Sequence, residues 1–379
     1  MTIAYMLGGL NRGGTETLLL DVMKSAHVAP YQMLLVHRKG GAYMDDFRKT
    51  GVPMMQLAPR RFRLLRYLHA LRQLFRSEHV TAVHAQQTID ALYAALATIG
   101  TGIPVVLTFH GFDFGASRLG RLLNRLAIRM ADAVCFVSRT QRDYYIRRYG
   151  LQKLQNMLHV VYNGIDFRKL DCEYPVPDFL SDGDSATAGN SGHAAQGRIR
   201  LAMVGNFVSV RSQSVVCRSL QLLHEQGISD FDFYFVGRRN EAEPWRYDDC
   251  VSFCKTHGLD NVRFLGGRAD VPAILQNIDA FVYSSDHDTF GIALVEAMAA
   301  GLPVIVNDWD AMREVVGNVP GAGLMWKSGN PESLAALLND YISHPAAYNA
   351  QARQCKSSVR SCYSIQTHMD TLHRLYASL

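Results

Sequence analysis

The sequence lacks a hydrophobic run long enough to form a transmembrane helix. Its longest uncharged stretch, residues 91–109, contains Gly100, Gly102 and Pro104, which favour a short helix, a turn and a strand. The first residues, MTIAYMLGG, also lack the basic segment and apolar core of a secretory signal. We therefore expect a cytoplasmic protein.

Paired cysteines and nucleotide-binding glycine motifs are absent as well. The seven cysteines are odd in number and scattered, which fits a reducing compartment better than a disulfide framework. Cys250 and Cys254 have no second Cys or His pair suitably spaced nearby, so we expect buried thiols there. The glycine-rich turns match neither G-x-G-x-x-G nor a P-loop. This argues against a dinucleotide oxidoreductase, in which Arg38 and Lys39 would hold a 2′-phosphate.

Acidic residues are scarce in the first part of the chain. Residues 1–170 contain 23 Lys and Arg against 10 Asp and Glu, whereas the remainder contains 16 against 24. The net charge of +5 therefore hides two unlike parts. A basic first part indicates an anionic partner for it.

What is present is a repeated alternation of apolar strands with amphipathic helices. In the first part, strands are predicted at 2–7, 32–37, 81–85, 104–109, 133–138 and 159–163, and helices at 15–26, 62–77, 88–99, 118–130 and 139–149. Later strands are predicted at 198–205, 231–237, 262–266, 280–285 and 303–307, and only helices after residue 330. This pattern is typical of parallel sheets covered on both faces. The predicted fold class is α/β, with two Rossmann-like, doubly wound lobes facing a central cleft.

A stretch rich in Gly, Ser, Ala and Asp, residues 181–197, separates the two alternating parts. We predict a first lobe at 1–180, a flexible linker or loop at 181–197 and a second lobe at 198–360. The last helix, at 361–379, is expected to return to the first lobe. Ligands of such sheets bind at the carboxyl ends of the strands, which is where candidate residues are sought.

Three loops after predicted strands carry candidate binding groups. Gly13 and Gly14, in GGLNRGGTE, would let backbone N–H groups approach an anion, and a plain tight turn is an equal alternative. Arg211, in VGNFVSVRSQS, precedes a helix at which a cation could face a diphosphate, although a lone Arg there is more often solvated. His110, in TFHGFDF, follows a strand, where a hydrogen-bonded core histidine is the common alternative.

Two acids flank a helix start in SSDHDTFGIALVEAMAAGLPVI, residues 284–305. Glu296 lies among apolar residues, where a carboxylate is costly to bury without a partner. We expect the free N–H groups of residues 290–293 to bind phosphate, Glu296, about two turns in, to bind a ribose, and Asp288 to bind a hexose. The alternative is an N-cap Asp and a Glu held in a structural salt bridge. No metal is assigned to the Asp-x-Asp of residues 286–288.

Together these stretches resemble the retaining glycosyltransferases of family 4, which have the two-lobed GT-B fold. The resemblance covers nearly the whole chain: GGLNRGGTE, VYNGID (161–166), VGNF with Arg211, FLGGRADVP (264–272) and DTFGIALVEAMAAGLPVI. The last of these matches the Glu-x7-Glu segment of the family in spacing and in surrounding sequence, and it is highly specific.

The resemblance implies a first lobe that binds the acceptor and a second lobe that binds a UDP- or GDP-linked hexose, with no cofactor. Glu296 is similar to the family glutamate that binds the ribose, and Asp288 replaces the one that contacts the sugar. His110 matches the active-site histidine, and Arg211 a phosphate-binding lysine. The implied catalytic residues are His110, Arg211 and Asp288. The implied donor-binding residues are Gly13, Gly14, Asn206, Arg211, Gly266, Arg268, Asp288, Phe290, Gly291, Ile292, Ala293 and Glu296.

Two positions depart from the family pattern. Asn206 replaces a usual arginine, and Asp288 is one methylene shorter than glutamate. The implied reaction is a metal-independent hexosyl transfer that retains anomeric configuration, with N–H groups and Arg211 stabilising the departing phosphate. A catalytically degenerate homologue, which binds sugar nucleotides as a scaffold, is the alternative that these departures keep open.

The stretch PRRFRLLRYLHALRQLFR, residues 59–76, places six arginines among leucines and aromatics at helical spacing. Such a helix can lie on an anionic membrane, with Arg60, Arg61, Arg63 and Arg66 on the membrane and acceptor side. A solvated helix packed against the sheet is close to an equal alternative. Together with the basic first part, the helix favours a lipid-linked or cell-envelope glycan acceptor and a peripheral place on the cytoplasmic membrane face. No motif indicates nucleic-acid binding.

Overall fold

The structure, a computed structural model, describes residues 1–60, 63–180 and 198–379. The described chain forms two compact units. The first consists of Met1–Asp166 together with Tyr363–Leu379, and the second of Phe167–Cys362. Residues 167–180 thus group with the second unit. The predicted linker at 181–197 and the candidate residue Arg61 lie outside the described residues.

The first unit contains a seven-stranded parallel sheet in the order β3-β2-β1-β4-β5-β6-β7. Its strands are β1 Thr2–Gly9, β2 Gln32–Lys39, β3 Met54–Gln56, β4 Ala82–Ala85, β5 Val105–Phe109, β6 Ala133–Phe136 and β7 Leu158–Val160. In β1, Ala4 and Met6 face one apolar core, whereas Ile3, Tyr5 and Leu7 face another. Helices cover both faces of the sheet, as the near-continuous apolar strands predict.

The helices of the first unit lie between these strands. They are α1 Gly14–Lys24, α2 Met44–Arg48, α3 Leu64–Ser77, α4 Thr88–Thr98, α5 Arg118–Met130 and α6 Arg139–Tyr149. Helices α3, α4 and α5 pack side by side on one face of the sheet.

The second unit contains a six-stranded parallel sheet in the order β10-β9-β8-β11-β12-β13. Its strands are β8 Ile199–Val204, β9 Phe231–Val236, β10 Val262–Phe264, β11 Ala280–Tyr283, β12 Val304–Asn307 and β13 Gly323–Trp326. Its helices are α7 Arg168–Asp171, α8 Gln213–Glu225, α9 Trp245–Thr256, α10 Val271–Gln276, α11 Ile292–Ala300, α12 Asp310–Gly317, α13 Pro331–Ser343 and α14 Pro345–Tyr363. Each unit is thus a doubly wound, Rossmann-like sheet, as predicted.

The last helix, α15, spans Ile365–Ala377 and packs on the first unit. Its residues Met369, Leu372 and Tyr376 join the core on one face of the first sheet. The Tyr376 hydroxyl lies 2.6 Å from Nδ1 of His84, which lies within β4. This buried hydrogen bond ties the end of the chain to the first sheet.

Two short strands were not predicted from the sequence. β3 and β13 are each at a sheet edge, and they pair with β2 and β12. Their sequences, MMQ and GLMW, contain no β-branched residue and no alternating pattern. Pairing with a neighbouring strand, rather than local preference, places them in the sheets.

Candidate active site

The sheet of the second unit has its topological switch point between β8 and β11, because the chain adds β9 and β10 on one side and β11 on the other. Ligands of open α/β sheets bind beyond the carboxyl ends of the strands at such a point. Arg211 follows β8 and Asp288 follows β11. An isolated antiparallel bridge between Arg211 and Ser285 joins the two loops.

Arg211 and Asp288 form an ion pair at this switch point. The exposed fractions of their side chains are 16% and 17%, so both charges are largely removed from water. Arg211 Nη1 also donates to Ser285 Oγ at 3.1 Å, and its guanidinium carbon lies 4.8 Å from the centre of the Tyr283 ring. Arg211 is therefore a partly buried, oriented cation and not the solvated residue that the sequence left open.

Tyr283 also forms a hydrogen bond with the carboxylate of Asp288. Its hydroxyl donates to Oδ2 of Asp288 at 2.5 Å. Burial raises the pKa of Tyr283, so its hydroxyl stays protonated and remains a donor at neutral pH. The buried Nε of Arg211, in contrast, has no hydrogen-bond acceptor within the described parts of the chain. This Nε atom lies beside Gly205 and is enclosed by the protein.

The loop that carries Asp288 is held in place by hydrogen bonds from a side chain of the neighbouring strand β12. Asn307, the last residue of β12, is fully buried and accepts the Ser285 backbone N–H at 2.9 Å through its Oδ1. Its Nδ2 donates back to the Ser285 carbonyl at 2.9 Å. The Ser285 hydroxyl in turn accepts the backbone N–H of Asp288 at 3.2 Å. The neighbouring strands of the sheet therefore determine where Asp288 lies.

Helix α11 begins later than predicted. Its N-cap is Gly291, which has a φ of 79°, and Ile292 is its first residue. Phe290 precedes the helix and is buried, so the predicted first turn at 290–293 is wrong by two residues. Only glycine tolerates this backbone well, and a Cβ there would lie 3.2 Å from Met312 Sδ. The free N–H groups at the helix start are those of Ile292, Ala293 and the residue after them.

Glu296 is the fifth residue of α11, a little more than one turn from its start rather than two. Its carboxylate forms an ion pair with Lys169 of α7, and only 13% of the Glu296 side chain is exposed. This is the salt bridge that the sequence analysis named as the alternative. The apolar surroundings of Glu296 therefore do not by themselves indicate a ligand.

Asn206 has a structural role that the sequence did not reveal. Its Oδ1 accepts the backbone N–H of Arg238 at 3.0 Å, and its carbonyl accepts from Gln213. Arg238 itself is exposed, and its stem packs so closely on Gly267 that a Cβ at that glycine would collide with it. Asn206 stands at a position where the family resemblance implies an arginine. The exposed Arg238 lies beside it.

Arg268 is paired with one carboxylate of its own loop and with one from a distant part of the chain. It forms two hydrogen bonds, of 2.8 and 2.6 Å, with the carboxylate of Asp270, and a third of 3.1 Å with Asp178. The Arg268 guanidinium holds the pKa of Asp270 below its usual value. The preceding Gly266 has a φ of 66°. These contacts order the loop that follows β10, and they leave Arg268 as a paired cation.

In the first unit, His110 follows β5 and belongs to a buried polar group. Its Nε2 lies 2.8 Å from Oε1 of Gln86, which follows the neighbouring strand β4. Burial, and to a lesser extent His368, lowers the pKa of His110 to about 4. The imidazole is therefore neutral at pH 7 and binds through hydrogen bonds, not as a cation.

His110, Gln86 and His84 line a cavity of about 10 Å³ together with His368 and Asn163. The cavity is about the size of one water molecule. Burial lowers the pKa of His368 to about 4, and its Nδ1 lies 2.7 Å from the Tyr162 carbonyl. The buried Oδ1 of Asn163 has no hydrogen-bond donor among the residues described. A neutral, polar interior thus lies beside His110.

Gly13 and Gly14 lie at the start of α1, as their turn predicts. Gly13 is the N-cap in an extended conformation, and Gly14 is the first helical residue. The Glu16 carboxylate approaches Gly13 so closely that a Cβ there would displace it, whereas a Cβ at Gly14 would meet no atom. Open space therefore surrounds position 14 at the helix start.

The basic helix α3 packs its apolar side into the first unit. Four of its residues are buried, namely Tyr67, Leu71, Leu74 and Phe75. This agrees with the alternative of a helix packed against the sheet rather than a helix lying on a membrane. Arg60, Arg63 and Arg66 are exposed. The helix therefore uses its apolar side for the core and leaves its arginines at the surface.

The structure therefore brings Arg211, Asp288 and the start of α11 together in the second unit, and places His110, Gly13 and Gly14 in the first. Sequence reasoning missed Tyr283, Ser285, Asn307, Lys169 and Arg238. One feature of the sequence could have indicated Tyr283 and Ser285 as site residues. They lie at the carboxyl end of the strand that precedes Asp288, where ligands of such sheets bind. Within the described residues, no group of three or more His, Cys, Asp or Glu side chains is arranged to hold a metal ion.

Comparison with known proteins gives the class of the chain. The model of Glycosyltransferase Family 4 matches residues 12–169, and that of Glycosyl transferases group 1 matches residues 189–358. Together these matches cover most of the chain, which belongs to the glycosyltransferases of the family 4 type. It is a glycosyltransferase with the GT-B fold.

Individual relatives are similar over most of their length. A UDP-Gal:alpha-D-GlcNAc-diphosphoundecaprenol alpha-1,3-galactosyltransferase of Escherichia coli is 22% identical, over 89% of this chain and 86% of that protein. An N,N'-diacetylbacillosaminyl-diphospho-undecaprenol alpha-1,3-N-acetylgalactosaminyltransferase of Campylobacter jejuni is 27% identical, over 68% and 66%. The crystal structure of Anabaena Alr3699/HepE in complex with UDP and glucose has a TM-score of 0.80 and 20% identity, over 100% and 99% of the two chains.

The low pKa values of the buried histidines predict an acid-sensitive first unit. The unfolded chain protonates these histidines near their ordinary pKa of about 6.5, whereas in the folded chain the pKa of His110 and of His368 is about 4. Stability is therefore lost as the pH falls through this window. We expect the free energy of unfolding to fall by about 2 kcal/mol per such histidine between pH 7 and pH 5. Urea denaturation at both pH values measures it, and His368→Gln should reduce the difference. An equal loss in the exposed control His344→Gln and in His368→Gln would contradict this origin.

Proposed function

We propose that the chain transfers a hexosyl group from a UDP- or GDP-linked sugar to a hydroxyl acceptor, with retention of anomeric configuration and without a metal. The observation that carries the proposal is the partly buried Arg211–Asp288 pair at the switch point of the second sheet. An arginine in the loop after β8, whose side chain is oriented by Asp288 and still 16% exposed, is suited to a phosphate oxygen.

Phosphate binding in this proposal needs two kinds of donor. The free N–H groups of Ile292 and Ala293 at the start of α11 point their dipoles at an anion, and Arg211 supplies a full charge. Charge grows on the leaving phosphate as the sugar passes through an oxocarbenium-like state. Donors that are already oriented stabilise that charge without reorganising. The departing phosphate then accepts the proton of the acceptor hydroxyl.

The two acids recognise the rest of the donor. Asp288 binds the hexose and is held in place by Tyr283 and by the loop bonds of Ser285. Glu296 accepts hydrogen bonds from the ribose while Lys169 holds its carboxylate in position. Arg238, Gly266 and Arg268 lie on the nucleobase side, where Arg238 supplies a cation beside Asn206.

The first unit contributes His110, Gly13 and Gly14 to the reaction. His110 is neutral at pH 7 because burial lowers its pKa, so it positions the sugar or its phosphate by a hydrogen bond. The glycines at the start of α1 leave room for the diphosphate. These roles are those of the matching residues in the family that the chain resembles.

The acceptor proposed is a lipid-linked or cell-envelope glycan on the cytoplasmic side of a membrane. The names of the Escherichia coli and Campylobacter jejuni relatives include a diphospho-undecaprenol acceptor. No helix of the described chain has the length and hydropathy needed to span a bilayer. Exposed arginines at 60, 63 and 66, together with the neighbouring Arg61, suit a peripheral contact with anionic lipid.

A catalytically degenerate scaffold remains the second candidate. It is favoured by one observation, since Asp288 is already satisfied by Arg211 and Tyr283 and needs no sugar. Incubation of the protein with a panel of UDP- and GDP-sugars separates the two. Slow hydrolysis or transfer supports the enzyme, and tight nucleotide binding with no turnover supports the scaffold.

Replacement of Arg211 tests the leaving-group role. We expect Arg211→Gln to lower turnover of the best donor by about 100-fold to 1,000-fold, as for other lost oxyanion donors. Because Asp288 would then be buried without its partner, Arg211→Gln/Asp288→Asn serves as the neutral pair. Arg218→Gln, on the exposed side of α8, is the matched control. Turnover in Arg211→Gln equal to that of the control would contradict the proposal.

Variants of Glu296 and Lys169 distinguish a ribose contact from a purely structural salt bridge. If Glu296 binds ribose, Glu296→Gln weakens binding of the nucleoside diphosphate by about tenfold or more, in line with the loss of a charged hydrogen-bond acceptor. Lys169→Met removes the same salt bridge and leaves the carboxylate. Calorimetric titration and thermal unfolding of both variants measure affinity and stability. Equal stability losses with unchanged affinity in both would show a purely structural pair.

The arginines before and within α3 test the membrane contact. We expect replacement of Arg60, Arg61, Arg63 and Arg66 by Gln to lower sedimentation with anionic liposomes by at least about tenfold, because each nearby cation contributes about 1 kcal/mol. The loss should disappear at high salt, where the wild type is also weak. Equal sedimentation of wild type and variant at low salt would remove this contact from the proposal.

A further inference from the structure

The first sheet has its own switch point, between β1 and β4, because the chain adds β2 and β3 on one side of β1 and β4 on the other. A charged pair spans this point. Arg38, near the carboxyl end of β2, donates from Nε to Oδ1 of Asp90 at 2.7 Å and from Nη2 to Oδ2 at 3.4 Å. Asp90 belongs to α4, which follows β4. The pair therefore lies where ligands of open α/β sheets bind, and the proposed function gives it no role.

Gly8 of β1 leaves the space in which this arginine crosses the edge of the sheet. Strand β1 pairs with β2 on one side and with β4 on the other, so Gly8 lies between Arg38 and Gln87. A Cβ at position 8 would lie 2.6 Å from Nη2 of Arg38 and 2.5 Å from Oε1 of Gln87. Atoms do not approach a Cβ that closely, so the guanidinium keeps this position because residue 8 is a glycine.

Arg38 keeps one edge of its guanidinium for a further ligand. The planar group presents its N–H donors as a rigid fork. Asp90 takes the edge formed by Nε and Nη2, whereas Nη1 donates to no residue in the described parts of the chain. Nη1 is not an enclosed atom, and 20% of the Arg38 side chain is exposed, against 1% for Asp90. The edge formed by Nη1 and Nη2 can therefore be reached from solvent.

Stability alone does not explain this pair. Removing two charges from water offsets much of the attraction between them, so a partly buried ion pair adds little net stability. Two apolar side chains of similar volume would fill the space without that cost. What the pair does provide is a single orientation for Arg38 at the edge of the sheet.

The charges around Arg38 favour an anion. Lys39 beside it and Arg12 in the loop after β1 are exposed. The loops after β1 and β2, residues 10–13 and 40–43, contain no acid. The acids of the two helices that follow these loops are engaged nearby: Glu16 lies against Gly13, and Asp45 and Asp46 pair with Arg48 and Lys49.

We propose that Arg38 binds a phosphate group of the acceptor, which is therefore a phosphorylated glycan. Nη1 and Nη2 donate to two phosphate oxygens while Asp90 holds the opposite edge. A phosphate also offers further oxygens and charge to Lys39, which a carboxylate does not. His110 lies on the same sheet edge, since its Nε2 is 2.8 Å from Oε1 of Gln86. This inference deepens the proposed function and rests on it for the acceptor role, although the binding itself requires no turnover.

Calorimetric titration with phosphorylated probes tests this site. The probes are decyl-linked N-acetylglucosaminyl diphosphate and N-acetylglucosamine 6-phosphate, with uncharged decyl N-acetylglucosaminide as the reference, all in saturating UDP and GDP to fill the proposed donor site. We expect Arg38→Gln/Asp90→Asn, a neutral pair of similar shape, to weaken binding of a phosphorylated probe by about tenfold or more and not that of the reference. Loss for the first probe indicates a diphosphate-linked acceptor, and loss for the second a phosphate monoester.

A second variant tests the geometry with both charges kept. Gly8→Ala displaces the guanidinium and should weaken binding of the same probe, whereas Gly317→Ala, where a Cβ meets no atom, should not. Arg198→Gln/Asp232→Asn neutralises an ion pair at the amino ends of the second sheet and should titrate like the wild type. Circular dichroism and thermal unfolding establish that each variant is folded.

The possible results separate this inference from the proposed function. The phosphate site is overturned if no phosphorylated probe binds the wild type, or if Arg38→Gln/Asp90→Asn and Gly8→Ala both bind like the wild type. It is also overturned if binding depends on Arg211 instead. Hexosyl transfer to the uncharged reference that is equal in wild type and variants supports the enzyme and removes the phosphate site. A protein that binds the probe through Arg38 but turns over no donor keeps the site and fails the proposed function.

Discussion

The second unit is organised around the pairing of two charges that come from different loops. Arg211 and Asp288 follow adjacent strands, and neither is exposed enough for water to replace its partner. Removing one member of such a pair leaves a buried charge and costs several kcal/mol, about 3–5 in measured cases. The loops after β8 and β11 are therefore held together even without a ligand.

The fold could be predicted from the sequence because the strands are buried on both faces. Runs such as those of β5 and β6 are apolar almost throughout, and the helices between them have one apolar side. Local signals end at the sheet edges, where β3 and β13 owe their conformation to a neighbour. The start of α11 was placed two residues early because Gly291 adopts a left-handed conformation, which local periodicity does not indicate.

The partners of the site residues were less predictable than the residues themselves. Lys169 pairs with Glu296 from a helix far away in sequence, and His368 reaches the neighbourhood of His110 from the C-terminal helix. Nothing in local periodicity links such positions, since only the topology of each unit brings them together. The effect on chemistry is direct: burial beside neighbouring imidazoles lowers the pKa of His110 and makes it a neutral group, whereas its motif alone would allow an imidazolium.

Helices α3 and α5 show why an amphipathic pattern does not by itself identify a membrane surface. Both combine leucines with regularly spaced arginines, and the sequence drew attention to α3. In the structure the apolar side of α3 is used for packing, since Tyr67, Leu71 and Phe75 face the core. In α5, Ala127 and Ile128 are buried and Leu123 and Met130 pack against the core, while Leu119, Leu122 and Leu126 stay exposed. The pattern of leucines and arginines is thus similar in the two helices, and only the packing of each helix decides which leucines are buried.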